Sequence, residues 1–317
     1  MVIEEKGLDM THENVGPVAV GVDGGPGSAG ALRYATEEAR RTGAELHLVH
    51  VSPSYPPMAP MTPSLPAEIA STGTAILQQA REAVARIAPE LKVGATRHTG
   101  SRVAELVSSA EGARLLVIGR ETRSGLERLL AGGTTAAVAA HSSVPVVAVP
   151  SDWEPSAAAG PIVVGLKSQA HATELLGAAF RRAGATGAPI EVVHAWKLPD
   201  AYVDRIEERT AGAAWLTRGT ELVERELAPW RRDFPDTTVT VTVVHDDPAN
   251  ALVSAAKDAR LLILVRRLPS RVLGSHLGGT ARAVMRVASC PVEVVPATQS
   301  LTDAPGLELE RSGALLK

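Results

Sequence analysis

A doubly wound α/β fold, made twice in tandem, is what this sequence predicts. Three observations lead there. The chain repeats itself along its length, each repeat alternates short apolar runs with helical segments, and the apolar residues are almost all aliphatic. Hydrophobic residues make up 45% of the 317 and aromatics only 3%, so Val, Leu, Ile and Ala must build the core. Buried parallel strands between Ala-rich helices have that composition.

The repeat is read by direct alignment. Residues 16–51, GPVAVGVDGGPGSAGALRYATEEARRTGAELHLVHV, meet residues 160–195, GPIVVGLKSQAHATELLGAAFRRAGATGAPIEVVHA. Gly16-Pro17 falls on Gly160-Pro161, Gly21 on Gly165, Gly43 on Gly187 and His50 on His194, an offset of 144. Near the end of each copy the offset is 146, and Gly132-Gly133-Thr134 falls on Gly278-Gly279-Thr280. Chance alignment of apolar strands would not superpose these glycines and prolines. A period this long is a duplicated domain rather than a solenoid. The expected domains are residues 16–151 and 160–297, with flexible tails at 1–15 and 298–317.

Within the first copy, Val18–Val22 reads as a buried strand. Ser28 can cap a helix that runs to Thr42, where Gly43 stops it. Leu46–Val51 is the second strand, Ala67–Ile87 a helix closed by Pro89, and Val93–His98 the third strand. Arg102–Glu111 is a short helix, Leu115–Gly119 the fourth strand, Thr134–His141 a helix and Val146–Val149 the last strand. Strands alternating with helices imply a parallel sheet covered on both faces. Right-handed crossovers then wind it in the flavodoxin-like manner, five parallel strands per copy. Residues 52–66 carry six prolines, so regular structure is not expected there. That stretch leaves the edge where such sheets bind ligands, and reads either as a lid or as a plain connection.

Charge and composition exclude several roles. The net charge is -3 and the pI about 6.3, so no basic field is present for nucleic acid. Cys290 is the one cysteine, so no intramolecular disulfide forms, which fits a reducing, cytoplasmic setting. The polar N-terminus has no apolar core of a signal peptide, and no apolar run is long enough to span a membrane. No zinc spacing, G-x-S-x-G or G-x-x-x-x-G-K-[ST] occurs, so no catalytic set is assembled from motifs.

Three places carry candidate chemistry. Gly25–Gly30 fits G-x-G-x-x-G after a strand, but Asp23 and Gly24 intervene, and the second strand ends Leu48-Val49-His50-Val51-Ser52 without the acid that a nicotinamide dinucleotide ribose needs. Asp23 stands at the end of strand one, near the expected switch point. It reads as an acceptor for a ribose or adenine amine, or as an Asx turn that shapes the loop. The segment from Gly119-Arg120-Glu121-Thr122 to Gly132-Gly133-Thr134-Thr135 opens a helix with glycines and hydroxyls. Free amides at that helix mouth suit a triphosphate; a Gly-Gly turn with a threonine cap is the other reading. His50 and His194 read as inherited polar strand ends, Cys290 as a packing residue, and Asp204–Arg209 as a solvated helix face.

The order VGVDGGPGS, ALRYA, LHLVHV, LLVIG, LLAGGT, SSVPVVAVP resembles a universal stress protein domain over nearly the whole first copy, and the second copy matches the same template. The resemblance implies the adenine nucleotide alpha hydrolase-like version of the fold and a stress-response role. It implies ATP, with Mg, in the first domain, held by Val22, Asp23, Val51, Gly119, Arg120, Thr122, Gly132, Gly133, Thr134 and Thr135. The family pattern G-x2-G-x9-G-(S/T) is kept at Gly119 and Gly132. Thr122 replaces its second glycine, and Gly133 its hydroxyl, with Thr134 next. In the second copy Lys167 stands for Asp23, Val265 for Gly119 and Leu268 for the second glycine. That copy is expected to be a built-in dimer partner, pairing through Val146–Val149 and Val292–Val295. A homodimer of chains and an unknown protein partner are the further associations implied. The expectation is a nucleotide-binding regulator, not an enzyme; a nucleotide-free scaffold and a slow ATPase are the alternatives.

Overall fold

The computed structural model describes residues 16–54, 65–120, 133–155, 160–266 and 277–297. The first half runs β1 (Val18–Gly21), α1 (Pro26–Thr42), β2 (Leu46–Ser52), α2 (Leu65–Ile87), β3 (Val93–Thr99), α3 (Arg102–Ser109), β4 (Leu115–Arg120), α4 (Gly133–His141) and β5 (Val146–Pro150). The second half repeats it: β6 (Ile162–Gly165), α5 (Ala172–Thr186), β7 (Ile190–Trp196), α6 (Ala201–Asp233), β8 (Val239–His245), α7 (Pro248–Ala255), β9 (Leu261–Arg266), α8 (Gly279–Val287) and β10 (Val292–Pro296). The expected tails and most of the proline-rich stretch fall outside the described residues. No described helix is long and apolar enough to cross a membrane.

All ten strands join one sheet, in the order β3-β2-β1-β4-β5-β10-β9-β6-β7-β8. Each half is parallel throughout, as the buried aliphatic runs require; Val18, Ala19 and Val20 of β1 are fully buried. The doubly wound class is the one expected. Within it the order is 3-2-1-4-5, so the third strand extends the β2 side and the reversal falls between β1 and β4. The flavodoxin order puts that reversal between β1 and β3.

Two local expectations are revised. Helix α1 starts at Pro26, not at Ser28, and its cap residue is Gly25. Proline suits a first helical position because its missing amide would have no partner there. The Ser28 hydroxyl instead donates to the Gly25 carbonyl at 2.9 Å. At the other end Gly43 has φ 65° and its amide bonds back to α1, the left-handed stop that glycine permits. Helix α2 begins at Leu65, inside the stretch expected to be irregular.

The halves meet where β5 and β10 run antiparallel, with Val292 opposite Ala148 and Val294 opposite Val146. On the face covered by α3, α4, α7 and α8, one apolar core runs across this seam without a break. On the other face the cores under α1–α2 and under α5–α6 are separate. Between those two lies a buried ionic group. Arg182 of α5 donates through Nε to Glu293 of β10 at 2.9 Å and through Nη1 to Glu38 of α1. Arg41 adds two bonds to Glu38, at 2.7 and 3.2 Å. Arg182 is the repeat counterpart of Glu38, so the duplication turned a like position into an opposite charge.

Burial favours the neutral acid at Glu38, but Arg182 and Arg41 outweigh it and hold the carboxyl below its ordinary range. The stabilisation is therefore present above the unfolded carboxyl range and is lost as pH falls through the lower folded value.

Replacing Arg182 with Met leaves Glu293 buried without its partner and Glu38 with Arg41 alone. The expected loss is about 3 kcal/mol, read as a lower urea midpoint, and adding Glu38→Leu recovers part of it. A midpoint that does not move contradicts this account of the seam.

Candidate functional site

The reversal between β1 and β4 brings several of the expected residues together. The amide of buried Val22 donates to the Val49 carbonyl at 2.9 Å, which ties the end of β1 to β2. Asp23 follows, exposed, and its Oδ1 accepts from the Gly25 amide at 2.9 Å. So the Asx turn is realised, and the carboxylate still faces solvent. Gly24 between them has φ 75°, and a Cβ there would stand 2.9 Å from Ile76 of α2. Only glycine fits both the angle and the space.

Gly119 does something other than admit a ligand. A Cβ on it would come within 1.9 Å of the Gly27 carbonyl. The missing side chain lets the first turn of α1 press directly on the end of β4. Thr135 donates to the Gly119 carbonyl at 3.4 Å, which places the first turn of α4 at the same spot. Gly133 and Thr134 are exposed at that helix mouth. Neither α1 nor α4 has an acid in its first turn, and α1 has no side-chain cap. The positive ends of two helices thus meet at the end of β4, and Asp23 lies two residues ahead of the Gly25 cap of α1. Val51 lies at the end of β2 with its side chain in the core, so it can offer only backbone. Thr122 and Gly132 lie outside the described residues.

Arg120 is corrected. It was expected to face a ligand, but its guanidinium is buried and crosses the seam. Nη2 donates to the carbonyls of Ala288, the cap of α8, and Cys290, the latter at 3.2 Å. Arg266, its repeat counterpart, crosses the other way to the carbonyls of Ala139 and Ala140 in the last turn of α4. Each arginine thus satisfies helix-end carbonyls of the opposite half, where a cation is favoured. Burial lowers the proton affinity of both guanidinium groups. Cys290 is buried beside Arg120, and burial pushes its thiol up to about 11, as a packing residue requires.

Some participants escaped the sequence reading. The Nδ1–H of His50 donates to the Val22 carbonyl at 2.8 Å, which holds the strand end that carries Asp23. A Cβ on Gly73 of α2 would meet the His50 ring at 2.9 Å. The second half repeats both features: His194 bonds Leu166 at 2.9 Å, and a Cβ on Gly219 would meet the His194 ring at 3.0 Å. The recurrence of Gly73 at Gly219 was the available signal. Ser52, whose hydroxyl is buried without a partner at the end of β2, gave none.

The second half has lost the arrangement. Val265 cannot give α5 the approach that Gly119 gives α1. Helix α5 starts at Ala172, the counterpart of Ser28, two residues later than α1, and His171 before it has φ 63°. Lys167 stands exposed in the place of Asp23.

A second cluster lines up acid, imidazole and hydroxyl: Glu105 lies 3.2 Å from Nδ1 of His98, whose Nε2 lies 3.2 Å from the Ser109 hydroxyl. Ser109 closes α3, where carbonyls face it, and its hydroxyl donates to the Glu105 carbonyl at 2.6 Å. An oxyanion there would meet the negative end of the helix dipole. The set tethers α3 to β3.

The profile of the universal stress protein family matches residues 14–150 and 159–296. The chain belongs to that family. A universal stress protein of Mycolicibacterium smegmatis is 28% identical over 289 residues, 88% of this chain and 96% of that one. Universal stress protein Rv2005c of Mycobacterium tuberculosis is 29% identical over 292 residues, 87% of this chain and 96% of its own. The fold is shared with a universal stress protein of Archaeoglobus fulgidus, with a TM-score of 0.64, 18% identity, and coverage of 90% of this chain and 98% of that one.

Gly119→Ala forces a backbone collision at α1. We expect it to cost about 2 kcal/mol or more in urea unfolding, while Gly133→Ala, where a Cβ meets nothing, changes the midpoint little. Equal tolerance at both positions contradicts the assigned role of Gly119.

Proposed function

We propose that this universal stress protein binds one adenine nucleotide, ATP with Mg, in its first half, and that the second half serves as a permanent partner domain. The observation that carries the reading is the meeting of the α1 and α4 helix mouths at Gly119, on the β1–β4 reversal where Asp23 is exposed. Amides and the positive helix ends suit the phosphates, and Asp23 suits a ribose, an adenine amine or the phosphate-bound cation. The exposed hydroxyl of Thr134 adds a donor at the helix mouth. The role proposed is holding, not turnover. The groups near the phosphate end are amides and hydroxyls, and Asp23 is engaged in its turn, so no residue is assigned as a base. Binding would act by favouring one conformation that another protein reads.

A second reading is a nucleotide-free scaffold. The departure of Arg120 into the seam and the loss of the site from the second half favour it. Titration calorimetry with Mg-ATP separates the two. One site per chain, weakened at least tenfold in Asp23→Ala, is expected. No heat, together with no adenine released from denatured purified protein, overturns the binding proposal in favour of the scaffold.

A further inference from the structure

Asp204–Arg209 of α6 reads from sequence as a solvated helix face, yet Asp204 is buried there. Its Oδ1 accepts from the Leu198 amide at 2.8 Å and from Nε2 of His245 at 2.9 Å. His245 is the last residue of β8, and its Nδ1 lies 3.1 Å from Glu208, one turn along α6. The ring packs on the indole of Trp196, centroids 4.2 Å apart, and Trp196 stacks in turn on Trp215 of α6 at 5.3 Å. Both imidazole nitrogens thus face carboxylates. A neutral ring carries one N–H and can serve only one of them; both contacts require the imidazolium.

We propose that His245, gripped between Asp204 and Glu208, is a proton-operated latch that fastens the start of α6 and the β7–α6 connection to the sheet edge in the second half. Protonated, it bridges two successive turns of α6 and, through Asp204, the Leu198 amide. On losing its proton it releases one carboxylate, and the turns that present exposed Tyr202, Val203 and Ile206 loosen.

The surroundings agree. From α6 the charged groups facing the ring are Asp204 and Glu208. Lys197, in the connection, acts on Asp204, and β7 contributes the uncharged Trp196. The bond to Asp204, then Glu208, raises the proton affinity of His245 against the opposing effect of burial. The Leu198 amide and His245 hold Asp204 below its ordinary range. For a raised histidine the stabilisation is full at low pH and is lost as pH rises through its folded value; for a depressed acid it is lost as pH falls. The latch is therefore closed between the two and opens on the alkaline side of neutral histidine titration. The fold does not require it: in the first half Ser52 and Thr99 occupy the register of Trp196 and His245.

The test uses the full chain labelled with nitrogen-15 histidine. The His245 signals are assigned by their loss in His245→Gln and followed from pH 5 to 9. We expect a midpoint above the ordinary ~6.5, both nitrogens protonated below it, and a midpoint that moves back toward ~6.5 in Glu208→Gln, which keeps the rest of the latch. Amide exchange of Leu198–Val203, corrected for its intrinsic pH dependence, should lose protection through the same midpoint. A midpoint at or below ~6.5 that ignores Glu208→Gln, or exchange that is flat across it, overturns the latch.

Discussion

The antiparallel contact between β5 and β10 is the constraint on which the rest of this molecule depends. It closes the inner edge of both half-sheets at once, so neither half exposes unpaired amides there. It also fixes which helices face one another across the seam. On one face α4 and α8 share an apolar core, and their last turns receive the arginine of the opposite half. On the other, α1 and α5 leave a gap that Glu38, Arg182 and Glu293 fill. Removing the charges together costs far less than removing one, because what costs most is a buried charge without its partner.

That seam lets the two copies diverge. In a dimer of identical domains both sites must change together. In one chain the second copy can give up its approach of helix to strand while the pair stays intact. The substitution of Val265 for Gly119 is the clearest step. With Val265 at the end of β9, α5 starts two residues later than α1, and His171 before it is left-handed. The second copy carries a cluster of its own at the outer end of the sheet, where three rings and two carboxylates gather.

Much of this architecture was legible in the sequence because it rests on local rules. Short aliphatic runs mark the central strands, Gly43 and Gly187 mark helix ends, and the repeat offset reveals the duplication. The placement of β3 beside β2, and hence the switch point, was not, since strand order depends on which crossover packs better and not on any one residue. Arg120 was misread for a similar reason. Next to Gly119 it looks like part of a ligand loop, but a strand end has two sides, and the carbonyls of Ala288 and Cys290 lie 168 and 170 residues away in the chain. Asp204 looked solvated within a run of charges, and only the return of β8 brings His245 to it. In each case the deciding contact joins residues that no local pattern relates.

The central claim is that one copy keeps a nucleotide cleft and the other has exchanged it for support. A photoreactive azido-adenine nucleotide, cross-linked to the full chain and located by peptide mass spectrometry, tests this most directly. Labels confined to peptides of residues 14–150, and competed away by unlabelled ATP, are the predicted result. Competable labels divided between that half and residues 159–296 would contradict it.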